Sequence, residues 1–431
     1  MSSNVIRLPR PRQLRPGPAS LGFYVRVGRN DHVEMLHLIA TGERGIFGFV
    51  IDAQNVERHR ELIAEARRHD FDVILDPKTQ PMGLAGGHTG NLAALPWGLP
   101  RHHNVTDFDG SEGQRRAAQI VEVAATNGFT QLLGPTHLLS SPNDLWLRRD
   151  IAMMNWTAER IAATGAGLGL IYSLAEPMDV LRRPTERQAI IAAIADAESG
   201  AIWLKVENFG DDATGEKAAA YIDACRDFHQ RGLPVIGDYI GGLPGLGALA
   251  FGAIGGMAHG VTMQQNFKAA NWRRPPVPGG GGAPAWRVYV PQLDMLMPRK
   301  MAEALLATSP RIRGLCGCRD THCCPHGIRD MVGRPARHAI YQRAREIERI
   351  SSAPQAVRAG QYLDDGVRRV SDSVARIGGF SGLSSELQES LRKKQAHMSR
   401  FRQALVHLAE ISSSESIAVA PARRQSGDSS A

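Results

Sequence analysis

The feature that most constrains the fold is a regular alternation of short apolar runs with longer helix-like segments between Leu21 and about Gly260. Each run is almost continuously apolar, which is typical of a strand buried on both faces. Alternation of strands with helices predicts parallel strands joined by right-handed crossovers. Eight such units predict a (β/α)8 barrel, with an open doubly wound sheet as the alternative. The predicted strands are Gly22–Val27, Ile46–Asp52, Phe71–Asp76, Gln131–Gly134, Leu168–Ser173, Ala201–Glu207, Pro234–Asp238 and Ala253–Ala258.

The composition excludes several classes of protein. With 43% hydrophobic and 22% charged residues in a chain of 431, a large core can form and global disorder is excluded. No apolar run reaches the length of about 18 residues that a membrane-spanning helix needs. The N-terminus lacks the apolar centre of a signal peptide, which predicts a cytoplasmic protein. An excess of 8 positive charges permits an anionic partner without requiring one.

Proline, glycine and serine mark the limits of the predicted folded parts. Residues 1–20 contain arginines and prolines but no acids, and residues 273–285 have the sequence RRPPVPGGGGAPA. Neither stretch can form a packed element, because proline removes backbone donors and glycine-rich chain is flexible. The predicted organisation is a disordered basic arm at 1–20, a barrel at 21–272, a zinc-binding subdomain at 285–352, helices at 353–411 and a disordered tail at 412–431.

A last helix is predicted close to the C-terminus, where Ser385 and Gln388 form a capping box. The apolar residues that follow recur at spacings of four and three, which both docked helices and coiled coils share. The pattern is short for a coiled coil, so docking on the parent domain is favoured. Assembly into a homo- or hetero-oligomer through this helix is the alternative. The stripe consists of Leu387, Leu391, Met398, Phe401, Leu405 and Leu408.

Four of the five cysteines lie close together, at Cys316, Cys318, Cys323 and Cys324. Such clustering favours metal binding over disulfides in a reducing compartment. Zinc takes four thiolate or imidazole ligands in a tetrahedron, and the C-x-C pair can be presented to one ion by a turn. Because successive side chains diverge, we expect only one of the two adjacent cysteines to supply the third sulfur.

The fourth ligand of the predicted zinc site can be His322, His326 or His338. We favour His338, because it lies early in a predicted helix that would fix the direction of its imidazole. Four protein ligands leave no open coordination position, so the zinc is expected to be structural.

In a (β/α)8 barrel the chemistry lies at the carboxyl ends of the strands. Asp76 and Asp238 each close an apolar strand, so both carboxylates are predicted to emerge at the barrel mouth. Such a pair can act as nucleophile and general acid–base, with burial and mutual repulsion separating the two pKa values. Asp52 also ends a strand, but the helix that follows favours a structural role, as helix N-cap or in a salt bridge at the rim. Candidates for substrate binding at the strand ends are Gln80, Lys205, Glu207, Asn208 and His259.

Lys205 has two interpretations. An amine at a strand end, desolvated by Trp203, can form a Schiff base with a carbonyl substrate. An ion pair with Glu207 is the simpler interpretation.

The order of these features resembles the tRNA-guanine transglycosylase family, over roughly residues 20–350. In that family a zinc subdomain of three cysteines and one histidine follows the last barrel strand and helps to dock the nucleic acid. The segment Ile74-Leu75-Asp76, followed by Thr79-Gln80, is similar to the family's third strand and the loop that contacts the base. The resemblance implies zinc bound by Cys316, Cys318, Cys323 or Cys324, and His338.

The chain departs from the family at the nucleophile. The family's nucleophilic aspartate lies at strand eight, where this chain has Gly256-Met257-Ala258-His259. In this chain, the third cysteine also follows the second at a longer spacing than in the family. Three explanations stay open: Asp238 has taken over as nucleophile, the predicted strand register is shifted, or the chain is a non-catalytic relative.

Three functions are therefore predicted, in this order. The first is exchange of guanine for a 7-deazaguanine-type base on tRNA or DNA, with Asp238 as nucleophile and Asp76 as acid–base or base reader. The partners would then be a nucleic acid and a purine or 7-deazapurine base. The second is a zinc-containing, nucleic-acid-binding partner subunit without chemistry of its own. The third is a lyase that forms an imine on Lys205.

Overall fold

Eight parallel strands close into a barrel in the computed structural model, which describes residues 21–43, 45–87, 89–229, 232–274 and 286–412. The predicted (β/α)8 class is confirmed, and the barrel order is β1-β2-β3-β4-β5-β6-β8-β9 with the strands numbered along the chain. They are β1 (Gly22–Val27), β2 (Gly48–Asp52), β3 (Asp72–Asp76), β4 (Gln131–Leu133), β5 (Gly169–Pro177), β6 (Ile202–Glu207), β7 (Phe209–Gly210), β8 (Val235–Asp238), β9 (Gly256–Gly260), β10 (Asn266–Phe267), β11 (Val288–Val290) and β12 (Met295–Met297).

Helices join the barrel strands and continue beyond the last of them. A seven-residue π-helical turn, Tyr362–Arg368, lies between two of the C-terminal helices. The α-helices are α1 (His32–Ala40), α2 (Arg60–Arg68), α3 (Thr79–Gly83), α4 (Gly110–Thr126), α5 (Leu145–Thr164), α6 (Met178–Arg182), α7 (Pro184–Ile194), α8 (Gly215–His229), α9 (Gly242–Ala250), α10 (Arg299–Ala307), α11 (Pro310–Cys316), α12 (Ile328–Gly333), α13 (Pro335–Ser352), α14 (Gln355–Gln361), α15 (Arg369–Gly378) and α16 (Ser385–Ser412).

Local chemistry explains where several helices begin and end. The Asp144 carboxylate accepts the backbone N–H of Trp146 and begins α5, which ends at Gly165 in the left-handed conformation, with φ of +61°. Pro184 and Pro335 occupy the first turns of α7 and α13. The first N–H groups of a helix have no hydrogen-bond partner within it, so a proline, which lacks the N–H, costs nothing there.

Two layers of side chains fill the inside of the barrel. Side chains alternate along a strand, so residues two positions apart face the same way. The layer nearer the amino ends of the strands is apolar and includes Tyr24, Val50, Ile74, Trp203 and Ile236. Two residues further along each of these strands lies a charged residue, and together these residues form a second layer. Its members are Arg26, Asp52, Asp76, Lys205 and Asp238.

The chain beyond the barrel packs onto the barrel's own helices. β11 and β12 form an antiparallel hairpin, α13 contacts α1 and α9, and α16 contacts α8 and α15. All six residues of the predicted stripe on α16 are buried in the same apolar core as the outer face of the barrel. Lys394, which interrupts the stripe, donates to the carbonyl of Asp294 at 2.9 Å. The predicted docking of this helix on the parent domain is confirmed. An oligomer contact through the helix stays a prediction, and such a contact would have to use the polar faces of the helix.

Several predictions concern parts of the chain that are not described. The basic arm at 1–20, residues 275–285 of the linker and residues 413–431 of the tail lie outside the described ranges, so the predicted division into domains stays a prediction. Among the described residues, no helix combines the length and apolar character needed to cross a bilayer.

Candidate active site and metal centre

The charged layer at the carboxyl ends of the strands is a compact cluster of ions. Three cations and three carboxylates meet there, so their formal charges balance. All are buried except Asp52, whose side chain is 20% exposed. Buried ions are stable only when each is paired and hydrogen-bonded. We call this cluster the mouth network, and its members are Arg26, Asp52, Asp76, Lys78, Lys205 and Asp238.

Arg26 joins the two predicted catalytic carboxylates. Its Nε and Nη2 donate to the two oxygens of Asp238, both at 2.6 Å, in a bidentate pair. The same Nη2 donates to Oδ2 of Asp76 at 2.8 Å. The guanidinium also lies 4.5 Å from the centre of the Tyr239 ring. Asp76 and Asp238 therefore lie at the same end of the barrel, as predicted, with one nitrogen between them.

The surroundings of Asp76 keep it ionised. Burial alone would raise the pKa of this carboxyl, but Lys205, Lys78 and Arg26 hold it well below its usual value. The backbone N–H of Lys78 also donates to its Oδ1 at 2.9 Å. An ionised Asp76 can accept a proton or stabilise a cation, but it cannot act as a general acid in the free protein at neutral pH.

Lys205 lies in the same network and is almost completely buried. Its Nζ donates to Oε1 of Gln80 at 2.7 Å and to Oδ2 of Asp76 at 3.3 Å, and Oδ2 of Asp238 is 3.9 Å away. Burial lowers the pKa of Lys205, although Asp76 opposes the shift. The predicted ion pair with Glu207 is wrong, because the oxygen Oε1 of that residue accepts the backbone N–H of Ala269 instead.

Gln80 is held by Ser173 of β5 and by Thr136, which follows β4. Its amide nitrogen donates to the carbonyl of Ser173 at 2.9 Å and to the hydroxyl of Thr136 at 3.2 Å, which leaves the amide oxygen for Lys205. The side chain is thus oriented at the bottom of the mouth. A base read by Gln80 would have to replace one of these contacts.

Two other predicted substrate-binding residues do not reach the network. His259 is paired in register with Val25, next to the inward-facing Arg26, so its ring lies on the outer side of the barrel, 5.1 Å from that of Phe23. Burial lowers its pKa to about 3. Asn208 is exposed at the rim, with φ of +63°. The alternation of side chains, not the position of His259 along the chain, explains the wrong prediction.

Three members of the network were not among the predicted catalytic or substrate-binding residues. The Asp52 side chain makes no N-cap hydrogen bond, but the predicted salt bridge at the rim is present: Asp52 pairs with Arg26 at 3.3 Å and with Lys78 at 3.5 Å. Lys78 has a φ of +59°, which turns the chain between β3 and α3. A signal for Arg26 was available, since it is the charged residue of an otherwise apolar strand.

A second cluster of ionisable side chains can hold a metal ion. The ligand atoms of Cys318, Cys323, Cys324 and His338 all lie within 4.8 Å of one another. The Nδ1 of His338 is 3.3 Å from the sulfur of Cys323 and 3.5 Å from that of Cys324. Hydrogen bonds from the thiols of Cys323 and Cys324 lower the pKa of Cys318. Three thiols and one imidazole within this distance fit a tetrahedral metal site.

Neighbouring groups orient these ligands. The Nε2 of His338 is 3.1 Å from the carbonyl of Tyr289, so Nε2 carries the proton and Nδ1 faces the sulfurs as an acceptor. Asp320 accepts the backbone N–H groups of His322 and Cys323 in a tight turn. The turn explains why both adjacent cysteines reach the same point, contrary to the prediction that only one of them would.

Cys316 lies outside this cluster, contrary to the prediction. It ends α11, is fully buried and belongs to the apolar core, where burial raises its pKa to about 12. The helix directs this side chain inward, while Cys318 follows the helix end and is free to turn towards Cys323.

Glu176, at the end of β5, is a buried acid outside the mouth network. It pairs in register with Val206, next to the inward-facing Lys205, so it faces the helices. Neither of its carboxylate oxygens has a hydrogen-bond partner among the described residues. Burial raises the pKa of Glu176 to about 8, although Arg187 opposes the shift.

We expect Glu176→Gln to change how stability depends on pH. A pKa raised above the ordinary value of 4.5 means that the folded wild type loses stability as the pH rises towards about 8, whereas the variant does not. Relative to the variant, the free energy of unfolding of the wild type should fall by up to about 1.4 kcal/mol for each pH unit over this range. Urea unfolding near pH 5 and pH 8 measures it, with exposed Glu386→Gln as the control. An equal difference at both pH values would contradict the raised pKa.

Comparison with known proteins gives only remote structural matches. No protein-family model and no curated sequence matches the chain. A xylanase of Penicillium canescens matches 55% of this chain and 81% of its own at 8% identity and a TM-score of 0.38. The carboxyl transferase domain of Rhizobium etli pyruvate carboxylase matches 91% and 63% at 10% identity and a TM-score of 0.37. Deoxyribose phosphate aldolase from Aeropyrum pernix matches 55% and 83% at 10% identity and a TM-score of 0.33. Such matches say nothing about substrate or reaction.

Proposed function

We propose that the barrel mouth exchanges a base on a nucleic acid by double displacement, with Asp238 as the nucleophile. The observation that carries the proposal is the shared contact of Asp76 and Asp238 with Nη2 of Arg26. Two oxygens that both lie within hydrogen-bond distance of one nitrogen are close enough for the carboxylate spacing of about 5–5.5 Å found in retaining glycosyl transfer.

The reaction has two steps on the same carbon. In the first, an oxygen of Asp238 bonds to C1′ of the nucleotide, and the departing base keeps the electrons of the glycosidic bond and takes up a proton from solvent, because Asp76 is ionised. In the second, a nitrogen of the incoming base bonds to C1′, loses its proton to the ionised Asp76 and releases Asp238. Two inversions retain the configuration. Arg26 must leave Asp238 before the first step, because it engages both oxygens of that carboxylate.

The metal cluster follows the last barrel strand, as the zinc subdomain does in the family that the chain resembles, and this order supports a nucleic-acid substrate. Zinc suits three thiolates and one imidazole, and with Cys318, Cys323, Cys324 and His338 all bound it would have no open position for chemistry. Its role would be to fix the loop between α11 and α13. That loop carries several arginines that can contact phosphates.

The nucleophile can be tested by trapping a covalent intermediate. Zinc-loaded protein is incubated with labelled tRNA or DNA and a 7-deazaguanine, and the products are separated under denaturing conditions. We expect a protein–nucleic acid adduct and incorporation of the new base, both abolished in Asp238→Asn. The exposed Asp372→Asn on α15 is the matched control and should behave as the wild type. Absence of adduct and incorporation with both nucleic acids would reject base exchange.

Lys205 supports a second candidate, imine formation with a carbonyl substrate. The specific observation is a fully enclosed amine with a lowered pKa, 3.3 Å from the carboxylate oxygen of Asp76 that could accept its proton. Borohydride reduction with a panel of aldehydes and ketones should then leave a mass adduct on Lys205. Lys217→Arg on α8 should retain the adduct and Lys205→Arg should lose it. No adduct across the panel would set this candidate aside.

A further inference from the structure

A second cavity lies outside the barrel and shares no lining residue with the mouth network. Its volume is about 350 Å³, which is within the range of small-molecule sites. It is bounded by α9, the β11–β12 hairpin, the end of α13, α14, the π-helical turn and the start of α15. Its apolar lining residues are Leu243, Leu246, Ile350, Ala353, Tyr362 and Val370.

The π-helical turn forms one wall and is fixed to the barrel. The hydroxyl of Tyr362, its first residue, donates to the carbonyl of Leu243 at 2.7 Å. π-Helical turns are rare and are frequently found at functional sites. Here the turn brings Tyr362 and Gly366 to the cavity.

Three arginines line the cavity without a carboxylate partner. Arg349 and Arg369 are exposed, and Arg358 is 4% exposed and donates only to backbone carbonyls. Within the described ranges none of the three has a carboxylate oxygen within 4.0 Å, whereas the adjacent Arg368 pairs with Asp364 at 3.2 Å. Guanidinium groups beside an apolar cavity favour an anionic group of a ligand.

The acids at the bottom of the cavity do not cancel these arginines, because they have cations of their own. Arg343 lies 2.8 Å from an oxygen of Glu346 and 3.7 Å from one of Asp294, and Lys394 lies 3.2 Å from the other oxygen of Asp294. The hydroxyl of Tyr289 donates to Glu346 at 2.9 Å. Among the lining acids, exposed Asp365 has no cation within 4.0 Å in the described ranges, and its backbone carbonyl accepts the Nε of Arg369 at 2.7 Å.

We propose that this cavity binds a small molecule with an apolar body and one anionic group, a carboxylate or a phosphate. The apolar body would lie against Leu246 and Val370, and the anion would lie among Arg349, Arg358 and Arg369. The proposal is independent of the reaction at the barrel mouth, since neither its residues nor its test involve the mouth network.

Calorimetric titration of the full chain tests the proposal with three probes that share an eight-carbon tail. We expect saturable binding of octanoate or octyl phosphate, and the stronger of the two identifies the anion. Octyltrimethylammonium has the same tail with a positive charge and should not bind measurably. Equal binding of the cationic probe, or no saturable binding of either anionic probe, would overturn the proposal.

Paired variants locate the binding. Arg369→Gln and Arg349→Gln should each weaken binding of the preferred anionic probe by about tenfold, the loss expected for a charge-assisted hydrogen bond. Arg368→Gln, one residue away and already paired with Asp364, should bind as the wild type. Both test positions are exposed, so these variants should fold, which circular dichroism checks. Wild-type affinity in Arg349→Gln and Arg369→Gln would also overturn the proposal.

Discussion

Arg26→Met is expected to lower the free energy of unfolding by about 3–5 kcal/mol, the cost of leaving buried charges without their partner. Asp238 is fully buried, and the variant would remove the guanidinium that donates to both of its carboxylate oxygens at 2.6 Å. Lys205, at 3.9 Å from Asp238, is too far away to replace a bidentate pair. Urea unfolding at neutral pH measures the loss.

Two further measurements separate this explanation from a general packing defect. Adding Asp238→Asn to Arg26→Met should recover part of the stability, because the unpaired charge is removed. The difference in free energy of unfolding between Arg26→Met and the wild type should also become smaller in acid. The pKa of Asp76 is held low in the folded protein, so its ion pairs stabilise the fold above the usual carboxyl pKa. That stabilisation is lost as the pH falls through the pKa that Asp76 has in the folded state.

The exposed pair of Arg101 with Asp107, at 2.7 Å, provides the control for Arg26→Met. Arg101→Met should cost less than about 1 kcal/mol, as exposed ion pairs do. A loss in Arg26→Met no larger than in this control would show that the mouth network does not depend on its central guanidinium.

Removing one ligand from the metal cluster is the second change with a large expected effect. Cys323→Ser and His338→Ala should each reduce the metal content of the purified protein from about one ion per chain towards none. The free energy of unfolding should fall by several kcal/mol, since structural zinc sites contribute about 10–16 kcal/mol of binding free energy in isolated fingers. Elemental analysis and urea unfolding provide the two measurements.

Cys316→Ser is the matched control for the metal site. It also removes a buried thiol, and it can lose some stability by placing a hydroxyl in the apolar core. Its metal content should nevertheless equal that of the wild type, because Cys316 lies outside the ligand group. Loss of metal in Cys316→Ser, or full retention in Cys323→Ser, would overturn the set of ligands.

The barrel could be predicted from the sequence because each strand is a local pattern. An almost continuously apolar run such as Gly22–Val27 favours burial and has the length of a strand. The helices between such runs imply parallel strands joined by crossovers. Asp76 and Asp238 could be placed at the mouth for the same reason, since the end of a strand fixes the end of the barrel to which it belongs.

The partners of those carboxylates could not be predicted in the same way. Arg26 lies 212 residues from Asp238 and 129 residues separate Lys205 from Asp76, so nothing local in the sequence joins them. The apolar-then-charged pattern two residues apart, from Tyr24 to Arg26 or from Trp203 to Lys205, was visible and would have selected the inward-facing layer. It would also have excluded His259, whose neighbour Gly260 occupies the inward position.

The sequence by itself determined that the chain forms a (β/α)8 barrel, and it marked a cluster of side chains that can hold a metal ion near the four cysteines, because periodicity and residue clustering are properties of neighbouring residues. Only the tertiary structure decided that Cys324 rather than Cys316 joins the ligands, and that Arg26 stands between the two aspartates. Those choices depend on the direction of side chains from a turn or helix end, and on charges brought together by closure of the sheet.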